Sequence, residues 1–456
     1  MSANEKLVGP GGRLYAEPQP GGDETAFRVD NTSAAYYNSP YYLLHQNQVQ
    51  PIPPPTPDVP LQMILDDFIG TDLVAAIQQA GKISFHAVGD TGAAKVNYQQ
   101  TVAQALANQA NVADAMVADL AGSLPPSFFF HLGDIIYNFG EAQYYYDQFY
   151  EPYRAYDRPI FAIPGNHDGS VFGPNSSAPQ VPTLQAFLNN FCATSVGPSP
   201  DAGGMVRSAM TQPGVYFTLD APFVSIIGLY SNVLEGPGVI SSQKGKFPIA
   251  DVQLGFLKSE LERLKPQRQA GQRAVVLAMH HPPLSADAHH GGSSGLEADL
   301  DNAFKAANFY PDLILSGHAH LYQRFTRRVT QTGQQIPYII SGSGGFAATP
   351  PQQKVKPAPF TVGDYTMEVD PIIKFGYLLI TCDAKTLTVT FRSPASNGTV
   401  ADLDAVSVDL KTGKLATVAP AARRRAGRKT AKPAPAAARR PKAKARPSAA
   451  RARRKR

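Results

Sequence analysis

The chain has 456 residues, 43% of them hydrophobic and 17% charged, which is enough to bury a sizeable core and to form more than one domain. No run of about 18 apolar residues occurs, and Met1-Ser2-Ala3-Asn4-Glu5-Lys6 has no basic stretch leading into an apolar one, so neither a transmembrane helix nor a secretory signal is expected and a cytoplasmic location follows. The net charge of +6 divides unevenly: 16 of the 42 Lys+Arg fall in residues 419–456 with no Asp or Glu, and the other 26 face all 36 acidic residues, an acidic body at −10 with a basic tail.

Residues 1–60 are rich in Gly, Pro, Asn and Tyr and read as a leader. Its run Pro51-Ile52-Pro53-Pro54-Pro55-Thr56-Pro57 should be extended. Residues 61–81 keep helical spacing through Leu61, Leu65, Phe68 and Leu73, interrupted at Gly70, and form a helical lead-in of one broken helix or two short ones. The folded body is then read over 82–410. Ile83–Val88 is a strand ending in Gly89-Asp90, Val102–Leu120 a helix, and Phe128–Leu132 a strand ending in Gly133-Asp134. Tyr144–Tyr153 reads as a helix, and Pro159–Ile163 as a strand running into Gly165-Asn166-His167-Asp168. This alternation predicts crossovers and a largely parallel sheet.

Residues 169–213 look like a long excursion beside the site. Val215–Leu219 and Phe223–Tyr230 read as paired strands, and Leu254, Leu257, Leu261 and Leu264 as a helix face. Ala274–Met279 is a buried strand leading to His280-His281-Pro282. A helix over Leu296–Ala307 and a strand over Leu313–Leu315 lead to Gly317-His318-Ala319-His320. Ile336–Ser341, Tyr377–Asp383 and Leu387–Arg392 should complete a second sheet. Cys192 and Cys382 have no motif around them and read as buried free thiols.

The strand ends collect Asp90, Asp134, Asn166, His167, His280, His318 and His320, and all ten histidines but His45 lie in or beside such segments. Oxygen donors with imidazoles and no thiolate suit Fe, Mn or Zn rather than a lone Mg²⁺ or Ca²⁺. The donors are too many for one tetrahedral ion and suit two ions about 4 Å apart, clamping an in-line displacement at phosphorus.

The runs Gly89-Asp90-Thr91-Gly92, Gly133-Asp134-Ile135-Ile136-Tyr137, Gly165-Asn166-His167-Asp168, His280-His281-Pro282 and Gly317-His318-Ala319-His320, in that order, resemble the five motifs of the calcineurin-like metallophosphoesterases. The resemblance spans about residues 82–395 and implies an α/β fold, a four-layer α/β/β/α sandwich with a di-metal centre at the sheet edges. Gly92 stands where most members carry a ligating His. Together with Tyr137, Leu321-Tyr322-Gln323-Arg324 and His290, it resembles the purple acid phosphatase branch. Two departures are the absence of any Trp and of the N-terminal sandwich domain of the large plant enzymes.

The resemblance implies that Asp134 bridges two metal ions, Fe with Zn, Mn or Fe. Asp90, Tyr137 and His320 would hold the first ion, and Asn166, His280 and His318 the second. His167 would face the leaving group with Asp168 orienting it, and His290 would touch the substrate, while His281 and His289 would be structural or lie outside the ligands. The implied activity is hydrolysis of a small phosphate monoester by a hydroxide generated at the metals. Alternatives are a phosphodiesterase acting on nucleotide or lipid head-group esters, or a polyanion-binding protein whose metal site is vestigial. The tail, residues 419–456, has no aromatic or large aliphatic residue to build a core and should be disordered. It is either a solubilising tail or a non-specific contact to nucleic acid, polyphosphate or an acidic membrane.

Overall fold

The computed structural model describes residues 52–92, 102–137, 140, 142–169, 184–231, 238–245, 249–287, 290–348 and 356–416. All of them fall in one compact unit, Met1–Val418. The expectations for the leader up to residue 51, for His289, for part of the 169–213 excursion and for the basic tail lie outside the described residues.

Sixteen strands are described. In chain order they are β1 Gln62–Ile64, β2 Lys82–Val88, β3 Phe129–His131, β4 Ile160–Ala162, β5 Phe217–Ala221, β6 Val224–Leu229, β7 Ala274–Met279 and β8 Leu313–Ser316. They continue with β9 Tyr322–Arg328, β10 Gln335–Ser341, β11 Phe360–Val362, β12 Tyr365–Met367, β13 Tyr377–Asp383, β14 Thr386–Pro394, β15 Val400–Asp409 and β16 Lys414–Ala416. The α-helices are α1 Asp66–Ile69, α2 Thr71–Ala80, α3 Val102–Asp119, α4 Asn166–Gly169, α5 Gln185–Phe191, α6 Val252–Gln269 and α7 Ser294–Ala307.

The strands form two sheets, in the orders β16-β15-β14-β13-β2-β3-β4 and β1-β5-β6-β7-β8-β10-β9-β12-β11. β2, β3 and β4 are parallel in the first sheet, and β6, β7, β8 and β10 in the second. Each sheet therefore carries a parallel half whose strand tips can hold a site.

Side-chain alternation fixes how the sheets pack. Ile83, Phe85 and Ala87 of β2, Val276 and Ala278 of β7, and Leu378 and Ile380 of β13 meet in one dry core between the sheets. Val275, Leu277 and Met279 point the other way and pack on Leu257, Leu261 and Leu264 of α6 and Leu300 and Phe304 of α7. Val112 and Met116 of α3 cover the far face of the first sheet. Strands buried on both faces read as unbroken apolar runs, and the helices outside make the four layers α/β/β/α.

Four expectations change. The lead-in holds two short helices, broken at Gly70, but begins with the edge strand β1, parallel to β5. Tyr144–Tyr153 is not an α-helix: a 3₁₀ turn at Ala142–Tyr144 precedes a π turn at Tyr146–Tyr150, where Phe149, Tyr150 and Tyr153 all pack inward. The late strands do not complete one sheet, because β10 joins β8 while β13 and β14 extend the sheet of β2. Of the two free thiols, Cys382 is buried but Cys192 only half-buried.

Candidate metal centre

The tips of β2, β3 and β4 from one sheet and of β7 and β8 from the other come together at one edge. Each carries a polar residue just past its last apolar one. Asp90, Asp134 and His318 all take left-handed backbone, with φ of +59°, +54° and +69°. That region costs a non-glycine residue free energy and is tolerated best by Asp, Asn and His. The turns are held by backbone bonds: Asp90 N donates to Gly133 O, Thr91 N to Asp134 O, and Gly89 N to Ser341 O at the end of β10.

The expected donors fall into two groups with one shared atom. In the first, the Tyr137 hydroxyl lies 3.2 Å from Asp90 Oδ1, 3.0 Å from Asp134 Oδ2 and 3.5 Å from His320 Nε2, and His320 Nε2 is 3.3 Å from Asp90 Oδ1. In the second, Asn166 Oδ1 lies 2.9 Å from His280 Nε2 and 2.9 Å from His318 Nδ1, and His280 Nε2 is 3.3 Å from Asp134 Oδ2. Ligand atoms of Asp134, His280 and His318 all fit within 4.8 Å of one another. Asp134 Oδ2 belongs to both groups. The residue types and these separations suit donors about 2.0–2.2 Å from a common centre.

The electrostatics follow from this crowding. Burial, with the Asp134 and Asp90 carboxylates, pushes the Tyr137 phenol well above its ordinary value. Burial alone would suppress a charge on His280, yet Asp134 lifts its imidazole to about 10. Burial works against the Asp134 charge as well, but His280 and His167 hold this carboxyl below its ordinary range. Two carboxylates and a phenol oxygen crowded in a dry site invite a cation, which would invert the preference of the phenol for its proton.

The neighbours hold this arrangement. His280 Nδ1 is 2.8 Å from the Leu132 carbonyl, which fixes its ring. Asp134 Oδ1 accepts from His167 N at 2.9 Å. The Asp168 carboxylate accepts from Gly165 N at 2.8 Å and from Ile135 N at 3.0 Å, tying the β4 loop to the β3 loop. Burial, and the charge of Asp134, raise its carboxyl to about 7. The half-buried His167 ring centre is 4.4 Å from that of Tyr137. The His290 ring centre is 4.8 Å from that of His318 and 4.9 Å from that of His320. His281 is buried with Nδ1 3.0 Å from Ser231 Oγ, its ring centre 4.4 Å from that of His318.

Three residues of the site escaped the sequence reading. Phe346 stacks on Tyr137, with ring centroids 3.7 Å apart and 9° between planes. Its signal was the glycine run Ser341–Gly345, whose last turn delivers Phe346 N to Asp90 O at 3.0 Å. Gln148 brackets the Tyr137 backbone with two 2.8 Å bonds, and Asp287 lies 3.5 Å from His290 Nδ1. Neither stands in a recognisable pattern. Gly92 is now explained: a Cβ there would lie 2.6 Å from Gln148 Oε1 and 2.8 Å from Ile135 O, so position 92 has no room for a side chain.

A family model described as calcineurin-like phosphoesterase matches residues 83–322, more than half of the chain. Among solved structures, a purple acid phosphatase from yellow lupin (Lupinus luteus) seeds is similar at 16% identity and a TM-score of 0.46, covering 72% of this chain and 54% of its own. This chain thus spans about half the length of the lupin protein. GAP50, the anchor in the inner membrane complex of Plasmodium, is similar at 14% identity and a TM-score of 0.46, covering 71% of this chain and 89% of its own. A dimetal phosphatase from Danio rerio is similar at 12% and 0.43, covering 72% and 99%. A search of curated proteins found no match. No helix among the described residues is long and apolar enough to cross a membrane.

Proposed function

The chain belongs to the calcineurin-like phosphoesterases, and from that premise we propose that it hydrolyses phosphate monoesters at a two-metal centre of acid-phosphatase type. The observation that carries this reading is the shared Asp134 Oδ2, which belongs to both donor groups. Asp90, Asp134, Tyr137 and His320 would hold one ion, and Asp134, Asn166, His280 and His318 the other, with Fe in the first and Zn, Mn or Fe in the second. When bound, such a pair neutralises phosphoryl oxygens and acidifies water toward neutral pH.

The chain supplies the rest. His167, half-buried beside Tyr137, carries a proton to the leaving oxygen. His290, steadied by Asp287, meets the phosphoryl group beside His318 and His320. Asp168 acts through the backbone, holding Ile135 N and Gly165 N so that Asp134 keeps its place. Phe346 shields the Tyr137 ring from water. The closed position 92 and the complete donor set favour this reading over a diesterase and over a vestigial site. A polyanion contact of residues 419–456 rests on their charge alone.

The test is metal analysis and a visible spectrum of the purified full chain, with rates on p-nitrophenyl phosphate and on its bis ester. About two ions per chain, a tyrosinate-to-iron band and faster monoester hydrolysis are expected. Metal-independent hydrolysis, or preference for the diester, overturns the assignment.

A further inference from the structure

A cavity of about 820 Å³ lies at the start of β4, lined by Ile160, by the π turn and by Met205–Thr211. No residue of the metal centre lines it, and its size is that of a small-molecule site. Phe149, Tyr150, Tyr156, Phe191 and Met205 give it apolar and aromatic walls. Three arginines also line it. Arg154 is paired with Glu151 at 2.8 Å and Arg158 with Asp157 at 3.3 Å.

Arg207 differs. It is half-buried, and its Nη1 and Nη2 donate only to the carbonyls of Tyr153 at 2.9 Å and Arg158 at 3.4 Å. Among the described residues it bonds to no carboxylate, and Asp157, near enough to be felt, is already taken by Arg158. Burial disfavours its charge, yet a guanidinium does not give up its proton. Two of its five N–H donors are committed. A partly buried cation hydrogen-bonded only to neutral carbonyls is incompletely answered, and an anion in the cavity would complete it.

We infer that this cavity binds a small organic anion, its apolar or aromatic body against Phe149, Phe191 and Met205 and its carboxylate, sulfonate or phosphonate head at Arg207. The alternative is that Arg207 merely staples its loop to two carbonyls.

The experiment uses the full chain and the fluorescent probe 8-anilinonaphthalene-1-sulfonate. One saturable site is expected, displaced by octanoate or by octylphosphonate, whichever is stronger naming the head group. Displacement by neither overturns the inference. Arg207→Met should weaken the probe about tenfold or more, since a charge-assisted bond is lost. Val206→Asp puts a carboxylate at a cavity-lining position that is 99% exposed and should also weaken it. If Arg207→Met does not fold, Val206→Asp decides. Unchanged affinity in whichever variants fold overturns the inference. Asp134→Asn should bind the probe like wild type, which keeps this result separate from the fate of the metal centre.

Discussion

Gly165 offers the sharpest probe of the proposed metal centre, because it touches the site without contributing a donor. A Cβ built there would press on Asp134 Oδ1, 2.5 Å from Asp134 N and 2.8 Å from Asp134 Cγ. Ordinary contact begins at 3.4 Å, and the nearest backbone atom cannot swing aside as a flexible side chain would. Gly165→Ala must therefore push Asp134 by about an ångström, and a displacement of that size costs about 100-fold in rate. The substitution changes no charge, and Gly165 has no positive φ to strain. The assay is kcat/KM on p-nitrophenyl phosphate beside metal content. Gly255→Ala is the control, since nothing lies within 4 Å of a Cβ at that helix position. It should keep full activity and gain about 0.5–1 kcal/mol of stability. Wild-type rate and metal content in Gly165→Ala would show that the placement of Asp134 is not what the centre depends on.

Asp134→Asn should lose metal and activity together, both donor groups being opened at their common atom; a variant that keeps both ions counts against the bridge. His167→Ala should lower turnover about 100-fold or more while metal content stays at wild-type level, and parallel losses of both would make His167 a structural residue. Phe346→Leu should shift or weaken any tyrosinate band and leave metal content unchanged, because it removes the ring stacked on Tyr137 but no donor; an unmoved spectrum refutes that. Away from the site, Asp119 joins His86, Tyr377 and Arg392 on the far face of the first sheet. Burial works against its charge, but these partners hold its carboxyl below the ordinary range. Its stabilisation is therefore present above the unfolded value of about 3.9 and fades as pH falls through the lower folded value. Asp119→Ala should cost about 3 kcal/mol at pH 7, and a wild-type–variant gap that does not narrow in acid denaturation would contradict the shift.

The site was more legible than the fold around it, for a physical reason. Strand tips such as Val88-Gly89-Asp90 and Leu315-Ser316-Gly317-His318 announce themselves because an apolar run buried on both faces stops at a turn residue and a donor. β9 and β15 did not, since their polar residues are answered from far along the chain. Arg324 of β9 pairs with Asp404 of β15, Arg327 with Asp301 of α7, and Arg392 of β14 with Asp402 of β15. The partners of Arg324 and Arg327 lie 80 and 26 residues away, outside any local window, and neither β9 nor β15 stands out in the sequence. Phe346 was hidden similarly: its role depends on Tyr137, far away in sequence.

The left-handed backbone at Asp90, Asp134 and His318 then takes on meaning. Such strain, on the order of 1–3 kcal/mol per residue, persists only where the surroundings over-determine it. Here they do: Phe346 N and Gly344 N bind the carbonyls of Asp90 and Gly89, and His318 N binds Asp90 Oδ2 at 2.9 Å. Those bonds join the tip of β8 and the turn after β10 to the tip of β2, so the two sheets grip each other through the residues that would hold the ions. The packing of the sandwich thus helps to place the donors, and the core between the sheets offsets the strain. That is why substitutions that remove one donor atom should leave a folded protein whose metal content can be read directly.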